Sequence, residues 1–386
     1  MSVYLLGGAR TASGTFLGSL SGVTAPQLGA VAIKGAIKRA GIDGSSIDEV
    51  FMGNVVSAGV GQAPARQAVL FADLDQSIPA TTVNKVCGSG LKTIITGAQT
   101  IKAEDNSLVI AGGMESMSCG PHLLPGVRNG VKFGDSQMLD AILHDGLWDV
   151  YSKQPMGNCA EECVKKFGFT REDQDRFAIE SFKRAQKAID DGIFTTEIEP
   201  VTIKGRKGDT VVDYDEGPHK ANFDKIPKLR PAFSSDGTIT AANASTLNDG
   251  AAAVVLGGEK YKDQAKFKII SYASHAQHPT DFTTAPIGAM KKAVALAGVE
   301  IGNIELFEIN EAFAVVTMAA MREFDLSHER VNIYGGGVSL GHPIGCSGTR
   351  IVVTLMNAMD RQQATLGMAA ICIGGGEALS LIIERI

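Results

Sequence analysis

Cys87 and Cys372 each close a short β-rich run and open a glycine-bearing turn. The first reads Asn84-Lys85-Val86-Cys87-Gly88-Ser89-Gly90 and the second Cys372-Ile373-Gly374-Gly375-Gly376. Between them lies a third such turn, Gly341-His342-Pro343-Ile344-Gly345, preceded by Asn310-Glu311-Ala312-Phe313. A catalytic thiol needs open backbone for its substrate, a group that keeps it ionised, and donors for the oxyanion formed on attack. Residues 81–86 are rich in β-branched side chains and read as a strand, whereas Leu91, Ile94, Ile95, Ala98 and Ile101 form a helical stripe. Cys87 is therefore expected on a strand-to-helix turn, where free backbone N–H groups and the helix dipole favour a thiolate. Taken singly, a free cysteine at a strand end is usually a small buried hydrophobe and a lone histidine is usually structural. Their glycine contexts and their order favour an active site.

The elements that carry these turns fall into two similar halves and an excursion. Strands are predicted near residues 3–6, 49–55, 81–86 and 108–111, with helices near 26–40 and 91–103. The second half repeats this with strands near 267–273, 304–309, 331–333 and 368–372 and helices near 286–297, 312–324 and 345–359. Cys87 follows Asn54 by 33 positions and His342 follows Asn310 by 32, which puts Cys87 and His342 at equivalent turns of a duplicated unit. Such a duplication predicts two α/β layers meeting across a shared middle, with the chemistry at the seam. From about residue 117 to 244 the pattern changes. Pro121, Pro125 and Pro155 break it, amphipathic helices follow near 159–167 and 171–190, and a polar stretch covers 204–230. That stretch holds Lys204, Arg206, Lys207, Lys220, Lys225, Lys228 and Arg230 against Asp209, Asp213, Asp215, Glu216 and Asp224. By composition it reads as a solvated loop, and its small positive excess also suits a phosphorylated ligand.

Composition bounds the rest. At 386 residues the chain exceeds one ordinary core. A hydrophobic share of 44% with only 6% aromatic residues, and 45 glycines, suits a compact α/β enzyme of small aliphatic side chains. The net charge of −6 argues against a general nucleic-acid binder. No apolar run of about 18 residues suggests a membrane span. Met1-Ser2-Val3-Tyr4-Leu5-Leu6 enters a strand directly, without a leader pattern, and Glu384-Arg385-Ile386 is no peroxisomal address, so a cytoplasmic protein is expected. Six cysteines without paired spacing suit free thiols in a reducing compartment. Cys159 and Cys163 could share a helical face and bind zinc, but no histidine pair completes such a site, so they read as core thiols; His275 and His278 take no role. Gly59-Val60-Gly61 lacks the third glycine and the preceding strand of a dinucleotide fingerprint.

Seven segments, in order, resemble the thiolase family over the whole length, most of all its biosynthetic, acetoacetyl-CoA type. They are Gly61-Gln62-Ala63-Pro64-Ala65-Arg66-Gln67-Ala68, residues 84–90, Ala111-Gly112-Gly113-Met114-Glu115-Ser116-Met117-Ser118, Asn243-Ala244-Ser245-Thr246-Leu247-Asn248-Asp249-Gly250, and residues 310–313, 341–345 and 372–376. The resemblance implies an α-β-α-β-α layered sandwich with an inserted loop domain. Its N-terminal half would be residues 1–116 with 245–266, its loop domain 117–244 and its C-terminal half 267–386. It also implies acetyl-CoA C-acetyltransferase activity, the reversible Claisen condensation of two acetyl-CoA to acetoacetyl-CoA and coenzyme A. Cys87 would carry the acetyl group, and His342 would deprotonate it and then help hold the thioester oxygen of the second acetyl-CoA. Asn310 would fix a water completing that oxyanion hole, and Cys372 would remove the methyl proton. The N–H groups of Cys87 and Gly374 would form a second hole. Lys220, Ala221, Asn222 and Lys225 would border the coenzyme A nucleotide and Ser245 its pantetheine arm, with Met156, Phe282 and Phe313 in the substrate pocket. No metal or prosthetic group is required, because hydrogen-bond donors stabilise the enolate. A homotetramer, a dimer of dimers, is implied.

Departures from the family point in two directions. Pro155-Met156-Gly157 stands where biosynthetic thiolases commonly carry His-Met-Gly, and degradative thiolases often have a proline there. That feature favours a 3-ketoacyl-CoA thiolase of broader chain length in β-oxidation. Asp281-Phe282-Thr283-Thr284-Ala285-Pro286 and Ala241-Ala242-Asn243-Ala244-Ser245 instead resemble mitochondrial-type acetoacetyl-CoA thiolases, which admit a 2-methyl branch. These longer matches outweigh the single proline. In those relatives a potassium ion binds near positions matching Ala241, Ala242, Ala244 and Val338, and a tyrosine expected beside it is Phe182 here. A silent, acyl-CoA-binding thiolase-like protein is disfavoured because all four catalytic positions are filled. A ketosynthase would pair two histidines with its cysteine, whereas Asn310 and Cys372 stand in those places.

Overall fold

A computed structural model describes residues 1–386. In its first half the strands lie side by side in the order Tyr4–Arg10, Asn248–Gly257, Leu108–Ser116, Glu49–Gly53, Ala80–Val83. In the second half the order is Phe267–Ala276, Glu377–Arg385, Leu366–Ile373, Leu306–Ile309. Val331, bridged in parallel to Phe307, marks where a further strand would stand. Numbered along the chain, both halves thus follow the order first, fifth, fourth, second, third. Antiparallel pairing of Tyr4 with Lys268 and Leu5 with Phe267 joins them.

Alternation along the strands sorts side chains into layers. Leu5, Val109, Ala111, Val254 and Leu256 face a middle core shared with Leu379, Leu381 and Ile383 of the second half. Their alternates Tyr4, Leu6, Leu108, Ile110 and Val255 face an outer core under the helices Ala25–Ala40 and Pro64–Phe71. Met368, Ala370 and Ile382 likewise meet Met290, Ala293 and Ala320 of the helices Ala285–Ala297 and Ala314–Phe324. The helices Ser89–Lys102 and Ile344–Gln362 fill the middle layer, completing the α-β-α-β-α sandwich. These two helices touch almost backbone to backbone at their first turns. A Cβ on Gly90 would lie 2.7 Å from the Thr349 nitrogen, and one on Gly348 would strike the Leu91 nitrogen. Glycine there brings the two N-termini, and the turns that precede them, to one place.

The inserted helix Met156–Phe167 builds a further core with Phe169, Ile239, Phe313, Val315 and Val316, whereas Ala185 and Ala188 of the helix Arg171–Asp190 join the outer core of the first half. A buried arginine ties the insertion to the first strand. Arg10 reaches Glu197 at 2.5 Å and both oxygens of Asp215 at 2.7 and 2.8 Å. Asp215 is fully buried, so it does not belong to the solvated charge run that the sequence suggests. With its charge met by Arg10, the exposed remainder of residues 204–230 is more positive.

Three elements differ from expectation. The strand predicted for 81–86 stops at Val83, because residues 84–88 turn, and the one predicted for 331–333 shrinks to a bridge. The strand Asn248–Gly257 is buried at every position. A strand covered on both faces shows no polar alternation to read.

Candidate active site

The turn at Cys87 is held in a strained form. Val86, a β-branched residue, has φ of +46°, a left-handed conformation that such residues rarely adopt outside functional turns. The Ser89 hydroxyl fixes it, donating to the Val86 carbonyl at 2.7 Å and accepting from the Lys85 N–H at 2.8 Å. Any side chain at Gly88 would strike Ile373, so glycine is required where the turn passes the second half. On the other side, Cys372 lies opposite Ala378 in a hairpin whose turn includes Gly374. An ion pair between Lys85 and Glu377 joins the two turns. The backbone N–H groups of Gly374 and of Cys87 itself favour the Cys87 thiolate.

His342 enters from the third turn. Its N–H donates to the Thr246 carbonyl at 3.2 Å and the Asn248 Oδ1 at 3.3 Å. Its Nδ1 lies 2.5 Å from the Ser347 hydroxyl, and its Nε2 lies 3.5 Å from the Asn310 Nδ2.

Cys87, His342 and Gly374 share the wall of a cavity of about 550 Å³ with Ser245, Met156, Phe282 and Phe313. Phe313 meets Phe233 and Phe282 edge-on, at centroid distances of 6.0 and 6.2 Å. Asn310 and Cys372 are fully buried and stand outside the cavity lining. Cys372 packs in one cluster with Met156, Phe282 and Phe313, which do line it. Of the basic segment, Lys220 comes nearest: its Nζ is 2.9 Å from the hydroxyl of Thr15, a lining residue. Ala221, Asn222 and Lys225 do not line the cavity. Thr15, Phe16, Leu143 and Leu147 do, and the sequence gives no sign of it, because long chain separations bring them there.

The description "Thiolase, N-terminal domain" matches residues 3–260 and "Thiolase, C-terminal domain" matches residues 263–385. The chain belongs to the thiolase family. Among similar proteins, the cytosolic acetyl-CoA acetyltransferase ERG10 of Gibberella zeae is 50% identical, covering 100% of this chain and 98% of that one. Acetyl-CoA acetyltransferase 2 of Arabidopsis thaliana is 49% identical over 99% of this chain and 96% of its own. The Acat5 thiolase of Ascaris suum, solved in complex with coenzyme A, superposes with a TM-score of 0.95 at 44% identity and full coverage of both chains. This thiolase is an acyltransferase.

The electrostatics of the thiolase site differ from the expected resting thiolate. Burial pushes the Cys87 thiol up to about 11, although the N–H groups of Gly374 and Cys87 pull the other way. Burial, and then the Arg350 charge, pull His342 down to about 3. Nucleophile and base therefore rest as a neutral pair, and the thiolate arises only as the proton moves. Cys372 is also raised, first by burial and then by Cys87.

Sequence reasoning gave no role to Glu115, although it is a lone carboxylate directly after the apolar and glycine-rich run 108–114. It is fully buried and accepts from the Asn54 side chain at 2.8 Å and from the N–H groups of Val55 (3.0 Å), Val56 (3.2 Å) and Gly345 (2.9 Å). It thereby pins the start of the helix that follows His342 to the first half. Burial raises it to about 7 despite these donors.

Proposed function

We propose that this thiolase is an acetyl-CoA C-acetyltransferase that condenses two acetyl-CoA reversibly to acetoacetyl-CoA and coenzyme A through acetyl-Cys87. The observation that carries the reading is the convergence of Cys87, His342 and Gly374 on one apolar cavity walled by Phe282 and Phe313. Relatives at about half identity over the full length carry that activity in their names, and the Ascaris thiolase holds coenzyme A.

His342 Nε2 accepts the Cys87 proton as sulfur attacks the acetyl carbonyl, and coenzyme A leaves with the proton of the Cys372 thiol, which becomes a thiolate. The oxyanion formed on attack sits on the N–H groups of Cys87 and Gly374. The Cys372 thiolate then takes a methyl proton from the second acetyl-CoA, whose enolate oxygen is held by the N–H of the protonated His342 and a water fixed by Asn310. The enolate carbon attacks acetyl-Cys87, the carbon–sulfur bond breaks, and the Cys87 sulfur recovers its proton from His342. One thioester replaces another, so no external energy source enters.

Phe282 and its edge-on partner Phe313 limit room for the acyl chain. Acetoacetyl-CoA is expected to be cleaved with a kcat/KM at least about 100-fold above that of 3-ketooctanoyl-CoA, since each refused methylene is worth about 1–3 kcal/mol. 2-Methylacetoacetyl-CoA is expected to be accepted. Comparable values for the four- and eight-carbon substrates in a thiolysis assay would replace this reading with a broad 3-ketoacyl-CoA thiolase, to which Pro155 in the cavity wall points.

Lys220, Ala221, Asn222 and Lys225 border the nucleotide end of coenzyme A, and Ser245 its pantetheine arm. Lys220 and Lys225 are exposed and lie outside the lined cavity, so their charges act on binding rather than on the reacting carbons. The double variant Lys220→Gln/Lys225→Gln should raise KM for acetyl-CoA, more at low salt than at high, and leave kcat nearly unchanged. An unaltered KM would mark this segment as plain solvated loop.

A potassium ion would be held by the carbonyls of Ala241, Ala242, Ala244 and Val338, a reading supported by the absence of a backbone partner for each of them among the loop and cap hydrogen bonds. Phe182 supplies no oxygen to it. Bound there, the ion would order the backbone around Ser245. The exposed apolar residues Leu124, Val131, Phe133 and Met138 of the insertion support assembly into a homotetramer. No helix is long and apolar enough to cross a membrane. The cytosolic relative supports a cytoplasmic protein.

A further inference from the structure

His342 can serve as the base only if the nitrogen facing Asn310 carries a lone pair, and no carboxylate stands behind the ring to set that state. The group that does stand there is Ser347, in the first turn of the helix Ile344–Gln362. Its hydroxyl lies 2.5 Å from the His342 Nδ1 and 2.9 Å from the Pro343 carbonyl, and both residues are buried. A carbonyl oxygen only accepts. The single hydroxyl proton therefore goes to Pro343, the habit of a helical serine bonding four residues back, and the remaining lone pairs accept from Nδ1–H. The opposite arrangement, with the hydroxyl donating to Nδ1, places the ring proton on Nε2 and leaves nothing to take the Cys87 proton.

We propose that Ser347 is a positioning residue that fixes His342 as its Nδ1–H tautomer, holding Nε2 free as the base. The inference rests on the thiolase reading of His342 and adds the device that prepares it. A neutral acceptor behind the imidazole orients the ring without stabilising its charged form, unlike the carboxylate of a Ser-His-Asp triad. Together with burial and the Arg350 charge, this lets the ring release the proton it has just taken, as a step that must run in both directions requires.

The test is nitrogen NMR of the full-length enzyme labelled with ¹⁵N-histidine, taking as His342 the signals lost in His342→Asn. Wild type is expected to show a protonated, pyrrole-type Nδ1 and a pyridine-type Nε2. Ser347→Ala is expected to shift that pattern towards the other tautomer and to lower kcat about 10- to 100-fold with little change in KM. Ser347→Thr, which keeps the hydroxyl, is expected to restore both. A pyridine-type Nδ1 in wild type overturns the proposal even where Ser347→Ala does not fold. So does wild-type kcat in Ser347→Ala, or a threonine variant that keeps the tautomer yet is as slow as alanine. The spectrum needs no turnover, whereas failure of the underlying thiolase reading would appear separately, as wild-type enzyme that does not acetylate Cys87.

Discussion

Cys87→Ala is expected to abolish acyl transfer, lowering kcat by about 10⁴-fold or more, while leaving the fold intact. The substitution deletes one sulfur from a turn that other contacts hold: the Ser89 hydroxyl on both sides of Val86, the glycine beneath Ile373, and the Lys85–Glu377 ion pair. Wild-type enzyme incubated with acetyl-CoA should gain one acetyl group, read by mass spectrometry on the peptide containing Cys87. The variant should gain none, and its thermal transition should stay within a few degrees of wild type. An acetyl group on any other peptide would sink the mechanism.

Cys372→Ser separates the two half-reactions. Serine keeps the size of the side chain but is a far weaker acid than the thiol, and the site is already fully buried among Met156, Phe282 and Phe313. The variant should still form acetyl-Cys87, because His342 takes the Cys87 proton and coenzyme A is able to leave as its thiolate. Condensation should fall by roughly 10²- to 10⁴-fold, the usual contribution of one general acid–base group. Equal losses in acetylation and condensation would contradict the division of labour between the two cysteines.

What the sequence made legible was the local chemistry and the duplication. Glycine turns with a cysteine or histidine at a fixed place, and helical stripes behind them, announce themselves within a dozen residues. Distant partners were not legible. Glu115 gains its role from four donors on residues 54–56 and 345, and Asp215 is buried only because Arg10 meets it across about 200 positions. The balance of forces at Cys87 was misjudged for the same reason. Free N–H donors at a helix start follow from local sequence, but the burial that outweighs them depends on two halves closing over the thiol. The strand Asn248–Gly257 was hidden because its residues are covered on both faces.

The repeated strand order carries a consequence about descent. In the first half Gly53 pairs with Gly113, and in the second Ile309 pairs with Ala370. Counting on from these pairs, Asn54 matches Asn310 and Glu115 matches Cys372, just as Cys87 matches His342. One unit paired with its own copy about a twofold axis would have to place the same residue on both sides of the axis, since one gene encodes both. Nucleophile facing base, and a structural carboxylate facing a proton-carrying thiol, are pairs that such an ancestor could not encode. Joining the copies in one chain freed each half to change alone, and two equivalent sites gave way to one asymmetric site.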